Sequence, residues 1–243
     1  METFLHRYEL DPTRPTGAQV RRDLALRAFA PALGLWAVIV GIGLLITGPA
    51  GDLPGELAVN EWFVTQRTPA LDAITAVTSN IGATLFIISA CLVAVVVLWW
   101  RTRQWWFAPV PALAIGIQAA VFVTSALVVG RDRPDVELLD DSPPTSSFPS
   151  GHTGASTAFY LTLAMLAQRI THPVLRWSAT VVCVAVPILV GTSRMYRGMH
   201  HLTDVLVGAL NGLVCAWLAW RYLRRDVDAV RGDQASALGQ TRA

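Results

Sequence analysis

The residues with the means to do chemistry gather in one stretch, Thr192–Asp204, which reads TSRMYRGMHHLTD. It sets Ser193, Arg194, Arg197, His200, His201 and Asp204 at the mouth of an apolar run, and ionisable groups beside a membrane span are functional candidates by default. From Ser193-Arg194 five residues lead to His200, and three more to Asp204. A helix beginning near His200 would put that histidine and Asp204 at i and i+4, where the carboxylate can hold the imidazole. An imidazole held in place beside arginines points to chemistry on an anion.

The elements that must position this cluster are written in the hydropathy. The chain has 243 residues, 53% of them hydrophobic and 15% charged, with a mean hydropathy of +0.46. That is too apolar for an ordinary soluble domain and predicts a multispanning membrane protein. All of its 19 basic residues are arginine. The run from Phe29 starts too late and is too long for a cleaved signal peptide, so it reads as a retained first span, Ala30–Thr47. Residues 1–28 read as an amphipathic cytoplasmic arm, with an interfacial helix over Val20–Ala30. Gly48, Pro49, Gly51, Pro54 and Gly55 break the first span, and Glu56–Pro69 reads as a short helix at the opposite surface.

Further spans are expected over Ala83–Trp100, Trp106–Gly130, His152–Ala167, Trp177–Thr192 and His201–Leu223, for six in all within a membrane domain of residues 29–223. Residues 224–243 read as a disordered cytoplasmic tail. Cys91, Cys183 and Cys215 fall in apolar runs with no metal-site or disulfide spacing. Gly208 and Gly212 fit a close helix contact. Six spans bring both termini to one side. Arg101, Arg103, Arg169 and Arg176 join the arginines of arm and tail there, against Arg67, Arg131, Arg133, Arg194 and Arg197 opposite. The positive-inside rule therefore makes the termini cytoplasmic and the Thr192–Asp204 cluster extracytoplasmic, in a plasma membrane.

On that outer face three segments line up: GRDRP at Gly130–Pro134, SFPSGH at Ser147–His152, and SRMYRGMHHLTD at Ser193–Asp204. Together they resemble the type 2 phosphatidic acid phosphatase family, whose pattern is KxxxxxxRP, PSGH and SRxxxxxHxxxD. The resemblance covers the third to the sixth expected span and implies an all-α bundle of six transmembrane helices with short interfacial helices. It also implies roles. His200 would attack phosphorus and carry a phosphohistidine; Asp204 would fix its tautomer; His152 would protonate the leaving oxygen and then activate water. Arg133 and Arg194 would clamp the phosphoryl oxygens, with Ser150, Gly151, Ser193 and Arg131 as further phosphate-binding groups. The five-residue gap from Arg194 selects His200 as nucleophile and leaves His201 as a rim residue. One departure stands out: the family lysine falls on Ala126, and a lost charge-assisted contact is worth roughly ten- to a hundredfold in binding or rate.

Taken singly, the arginines have a duller reading as interfacial anchors, His152 as a helix cap, and Asp204 as a first-turn acid. Those readings do not explain why all the pieces share one face. A metal site from His152, His200 and Asp204 is disfavoured, because two arginines aimed at the same point repel a cation; the expectation is a metal-independent enzyme without cofactor. The acids Asp132, Asp135, Glu137, Asp140 and Asp141 read as solvated loop. The sequence thus predicts an integral membrane lipid-phosphate phosphatase acting on phosphatidic acid or a polyprenyl diphosphate such as the undecaprenyl carrier, among membrane lipids and with no nucleic-acid partner. The alternative is a catalytically weak or silent homologue that binds or moves lipid phosphates, the reading Ala126 suggests.

Overall fold

The structure, a computed structural model, describes residues 15–49, 51, 53, 55–141 and 145–222; the expected tail and the first half of the expected arm lie outside them. Among the described residues the fold is all-α, with eight helices and no strand. Helix α1 runs Gly17–Thr47, opened by a capping box between Thr16 and Gln19. The expected interfacial helix and first span are therefore one helix. Its turn over Leu24–Phe29 is a π-helix, and the wider winding accommodates Pro31, whose ring would otherwise clash with the carbonyl one turn back.

Next come α2, Glu56–Thr65, entered through Gly55 at φ 95°, and α3, Pro69–Ile81, capped by the Thr68 side chain. Helix α4 is Thr84–Thr102. Helix α5 is Val110–Val129 and ends at Gly130, which takes φ 63° and so stops the helix four residues short of Pro134. Helices α6, Gly151–Ala167, α7, Pro173–Tyr196, and α8, Leu202–Arg221, complete the chain. Helix α7 is longer than the expected Trp177–Thr192: Pro173 in the first turn starts it early and it runs on past the internal Pro187 to Tyr196, so Ser193 and Arg194 sit in its last turn.

Five helices, α1, α4, α5, α7 and α8, have the length and hydropathy of a membrane span. The expected fourth span, α6, has 17 residues and differs in kind, for it is the centre of the bundle, packed on α5, α7 and α8. Its buried Ser156, Thr157 and Thr162 return their hydroxyls to carbonyls three or four residues back, so a polar helix sits in the core with its donors satisfied. The expected close contact on α8 is present: a Cβ on Gly208 would lie 2.5 Å from the Ser150 carbonyl oxygen, and one on Gly212 2.4 Å from that of Gly154. Outward-facing Leu33, Leu85 and Leu127 are at least 70% exposed, which suits surfaces solvated by lipid rather than water.

Candidate active site

The α5–α6 connection, the turn after α7 and the start of α8 converge at one end of α6. The connection from α5 to α6 folds back on itself, Ser147 donating its N–H to the Arg131 carbonyl at 2.8 Å and its hydroxyl to the Asp132 carbonyl at 2.7 Å. It is tied to the turn after α7 by the Leu139 N–H on the Arg197 carbonyl. The Ser150 N–H in turn reaches the Asp204 carbonyl at 2.9 Å, which locks the start of α6 to the start of α8. These bonds bring Arg133, Gly151, His152, Arg194 and His200 to the wall of one cavity of about 760 Å³. Beyond this polar end the lining turns apolar, with Ile87, Ile88, Ile115, Phe122 and Val123 from α4 and α5.

His200 is buried, in the turn just ahead of α8 rather than on it. Its Nδ1 lies 2.7 Å from the Ser147 carbonyl oxygen and 3.8 Å from Asp204 Oδ2. A carbonyl only accepts, so Nδ1 carries the proton and Nε2 keeps the lone pair on a ring that lines the cavity. With His200 ahead of α8, the Ser147 carbonyl stands closer to Nδ1 than does the Asp204 carboxylate expected to fix the tautomer, and the charge of Asp204 acts on the ring from 3.8 Å. Burial lowers the His200 pKa from the ordinary 6.5; Asp204 opposes that shift, and the charges of Arg194 and Arg133 reinforce it.

Two guanidinium groups flank the ring. Arg194 donates from Nη1 to Ser79 Oγ at 2.8 Å and to Asp140 Oδ2 at 2.7 Å, and its Nη2 has no partner among the described residues. Arg133 donates from Nη1 to the Met199 carbonyl at 2.7 Å, and burial lowers its pKa against the pull of Asp204. Helix α6 points its first turn, with His152, into the same space.

Three of the four secondary phosphate-binding candidates lie off the cavity wall. Arg131 is buried at 4% exposure, with Nη1 on Asp204 Oδ1 and Nη2 on Glu56 Oε2, each at 2.7 Å. Ser150 uses its hydroxyl on Thr153, as the cap of α6, and its N–H on Asp204. Ser193 returns its hydroxyl to the Val190 carbonyl. Only Gly151 of the four secondary candidates reaches the cavity beside Arg133 and Arg194, since short hydroxyls at helix starts and ends satisfy local backbone first. His201 is buried at 9% rather than at the rim, its N–H on Asp204 Oδ2 at 2.8 Å. Ala126, 9% exposed in the last turn of α5, does not line the cavity.

Several residues of the site carry no motif signal. Asp140, expected as solvated loop, accepts from both Arg194 and Arg197, at 2.7 and 2.6 Å. Burial raises its pKa, but hydrogen bonds from Arg197 and the Arg194 charge outweigh that, so the group stays below the usual carboxylate range. Asn60 of α2 donates to the His200 carbonyl at 3.1 Å and holds the turn from outside.

Residues 107–228 match the family model described as the PAP2 superfamily. Among curated proteins, phosphatidylglycerophosphatase B of Bacillus subtilis is 27% identical over 164 residues, 66% of this chain and 79% of that protein. A probable diacylglycerol pyrophosphate phosphatase of Schizosaccharomyces pombe is 31% identical over 136 residues, 43% of this chain and 49% of its own length. Among solved structures, a transmembrane PAP2-type phosphatidylglycerolphosphate phosphatase from Bacillus subtilis superposes with TM-score 0.69 at 23% identity, over 80% of this chain and 98% of its own. LpxE from Aquifex aeolicus follows with TM-score 0.56 at 24% identity, over 70% and 98%. At those identities the structural likeness speaks for the fold.

Proposed function

Because this chain belongs to the PAP2 superfamily, we propose that it is a multi-pass membrane enzyme that cleaves the phosphoester or diphosphate of a lipid, with His200 as nucleophile. The observation that carries this reading is the unprotonated Nε2 of His200 sharing one cavity with His152, Arg133 and Arg194. The apolar continuation of that cavity suits a lipid tail. The names of the relatives, a phosphatidylglycerophosphatase and a diacylglycerol pyrophosphate phosphatase, agree with a lipid phosphate as substrate.

In the first half-reaction the Nε2 lone pair attacks phosphorus, the bond from phosphorus to the leaving oxygen breaks, and His152, protonated once the phosphate anion is bound beside it, gives that oxygen its proton. Arg133 and Arg194 hold the equatorial oxygens, whose charge is greatest in the transition state. In the second half-reaction water attacks phosphorus, now-neutral His152 takes the water proton, and the N–P electron pair returns to Nε2. Asp204 stabilises the positive ring through its charge. Among the described residues no group of three or more His, Cys, Asp or Glu is arranged to hold a metal ion, and the two arginines supply the positive charge a metal would otherwise bring. Helix α6 is read as the sixth membrane-crossing element, shielded from lipid by the other five. We further propose an arm of residues 1–28 whose helix continues into a membrane domain of residues 29–223, a tail of residues 224–243, and a cavity on the extracytoplasmic side of a plasma membrane.

The substrate panel is the test: purified protein in detergent, given phosphatidic acid, phosphatidylglycerol phosphate, a lysolipid phosphate and a polyprenyl diphosphate, releases phosphate from at least one of them. No release from any of them means a silent homologue, the reading that Ala126 favours. Ala126→Lys gauges the departure within the same assay. A rise of roughly tenfold, the value of one charge-assisted contact, marks a family-like site working without that contact.

A further inference from the structure

Helix α2 carries none of the three motifs, yet one of its acids is joined to the reacting histidine through Arg131 and Asp204. Glu56 is 7% exposed. Its Oε1 accepts the Thr203 N–H at 2.7 Å, at the start of α8, and its Oε2 pairs with Arg131 Nη2 at 2.7 Å. The other arm of the same guanidinium, Nη1, meets Asp204 Oδ1 at 2.7 Å and Thr203 Oγ1 at 2.8 Å. Asp204 is fully buried, and its second oxygen lies 3.8 Å from His200 Nδ1. The order of charges is therefore carboxylate, guanidinium, carboxylate, imidazole.

A guanidinium bound to Asp204 alone would spend the whole of its charge on that carboxylate, and little field would remain for the imidazole. Shared between two carboxylates, it leaves the pair with one net negative charge buried next to His200. At low dielectric such a charge acts strongly over several ångströms. We propose that Glu56 is a positioning residue of the active site: it divides the Arg131 guanidinium, so that Asp204 keeps the charge with which it sustains the positively charged, phosphorylated ring of His200. The inference rests on His200 being the nucleophile. The duller account is that Glu56 only neutralises a buried arginine, which also needs a partner.

The two accounts part on the titration of His200. The charged and titratable groups that share the cavity with this ring or pair with it are Arg133, Asp140 and Asp141 from the α5–α6 connection, His152 from α6, Arg194 from α7 and Asp204 from α8, with Arg131 behind Asp204. Glu56→Gln alters none of these side chains and removes one negative charge behind them. The experiment is the pH titration of 15N-histidine-labelled protein in detergent, read by NMR, with the His200 signals identified by their loss in His200→Gln. Glu56→Gln lowers the His200 midpoint by roughly one unit, the scale of a single charge acting through protein. Arg131→Gln raises it, and Glu56→Asp, which keeps the charge, leaves it near the wild-type value. Shifts in the same direction for Glu56→Gln and Arg131→Gln, or none in either, overturn the proposal. The titration needs no turnover, so failure of the phosphatase reading appears separately, as the absence of phosphate release from every lipid phosphate.

Discussion

The Nδ1 of His200 lies 2.7 Å from the Ser147 carbonyl and 3.8 Å from Asp204, and that difference separates two jobs often joined in one carboxylate. The carbonyl fixes which nitrogen is protonated; the carboxylate supplies charge. Burial keeps the neutral form of His200 in force below the ordinary value of 6.5, with Arg194 and Arg133 adding to the effect against Asp204. The acid limb of kcat/KM, corrected for ionisation of the substrate, therefore lies below 6.5, because protonation of the nucleophile is what ends activity. The same group makes folding sensitive to acid. The unfolded chain takes up a proton near 6.5 while the folded one does not, so stability declines as pH falls from that value toward the lower folded pKa. An acid limb at or above 6.5 would mean that Asp204 outweighs burial at this site.

At the scale of elements, the approach of α6 to α8 decides whether the histidines meet. Gly212 and Gly208 let α8 lie against the backbone of α6. Gly212→Ala adds a methyl 2.4 Å from the Gly154 carbonyl oxygen. Alanine gains about 1 kcal/mol in helix propensity, but overpacking against backbone costs about 1–3 kcal/mol or more, so the clash wins. Gly212→Ala thus lowers the thermal midpoint in detergent, and Gly116→Ala, where nothing lies within 4 Å, does not. This contact was legible in the spacing of two glycines, as were His152, His200, Arg133 and Arg194 in the motifs. What was not legible came from chain separation and local competition. Glu56 and Asn60 reach the site across about 140 residues, a distance no periodicity reports. Asp140 looked like any loop acid, and the hydroxyls of Ser150 and Ser193 looked available until their own helices claimed them. The span α6 is likewise marked by its motif more than by its hydropathy, because its polar residues serve the core.

At the scale of the molecule, the described residues form a shell of apolar helices around a polar central helix, with the site residues at one end. From the distribution of arginines we propose that this end faces away from the cytoplasm. In a chain whose three cysteines are replaced by alanine, Asp135→Cys reacts with a membrane-impermeant maleimide on intact cells, and Arg101→Cys reacts only after permeabilisation. The reverse pattern would invert the topology. The central claim, that His200 takes the phosphoryl group, is tested most directly by rapid acid-free quenching of turnover on a lipid phosphate, followed by peptide mass spectrometry. A phosphoryl group on the peptide carrying His200, absent from His200→Ala, is the predicted result. Steady phosphate release by His200→Ala at the wild-type rate, or a phosphoryl group found on another residue, would contradict it.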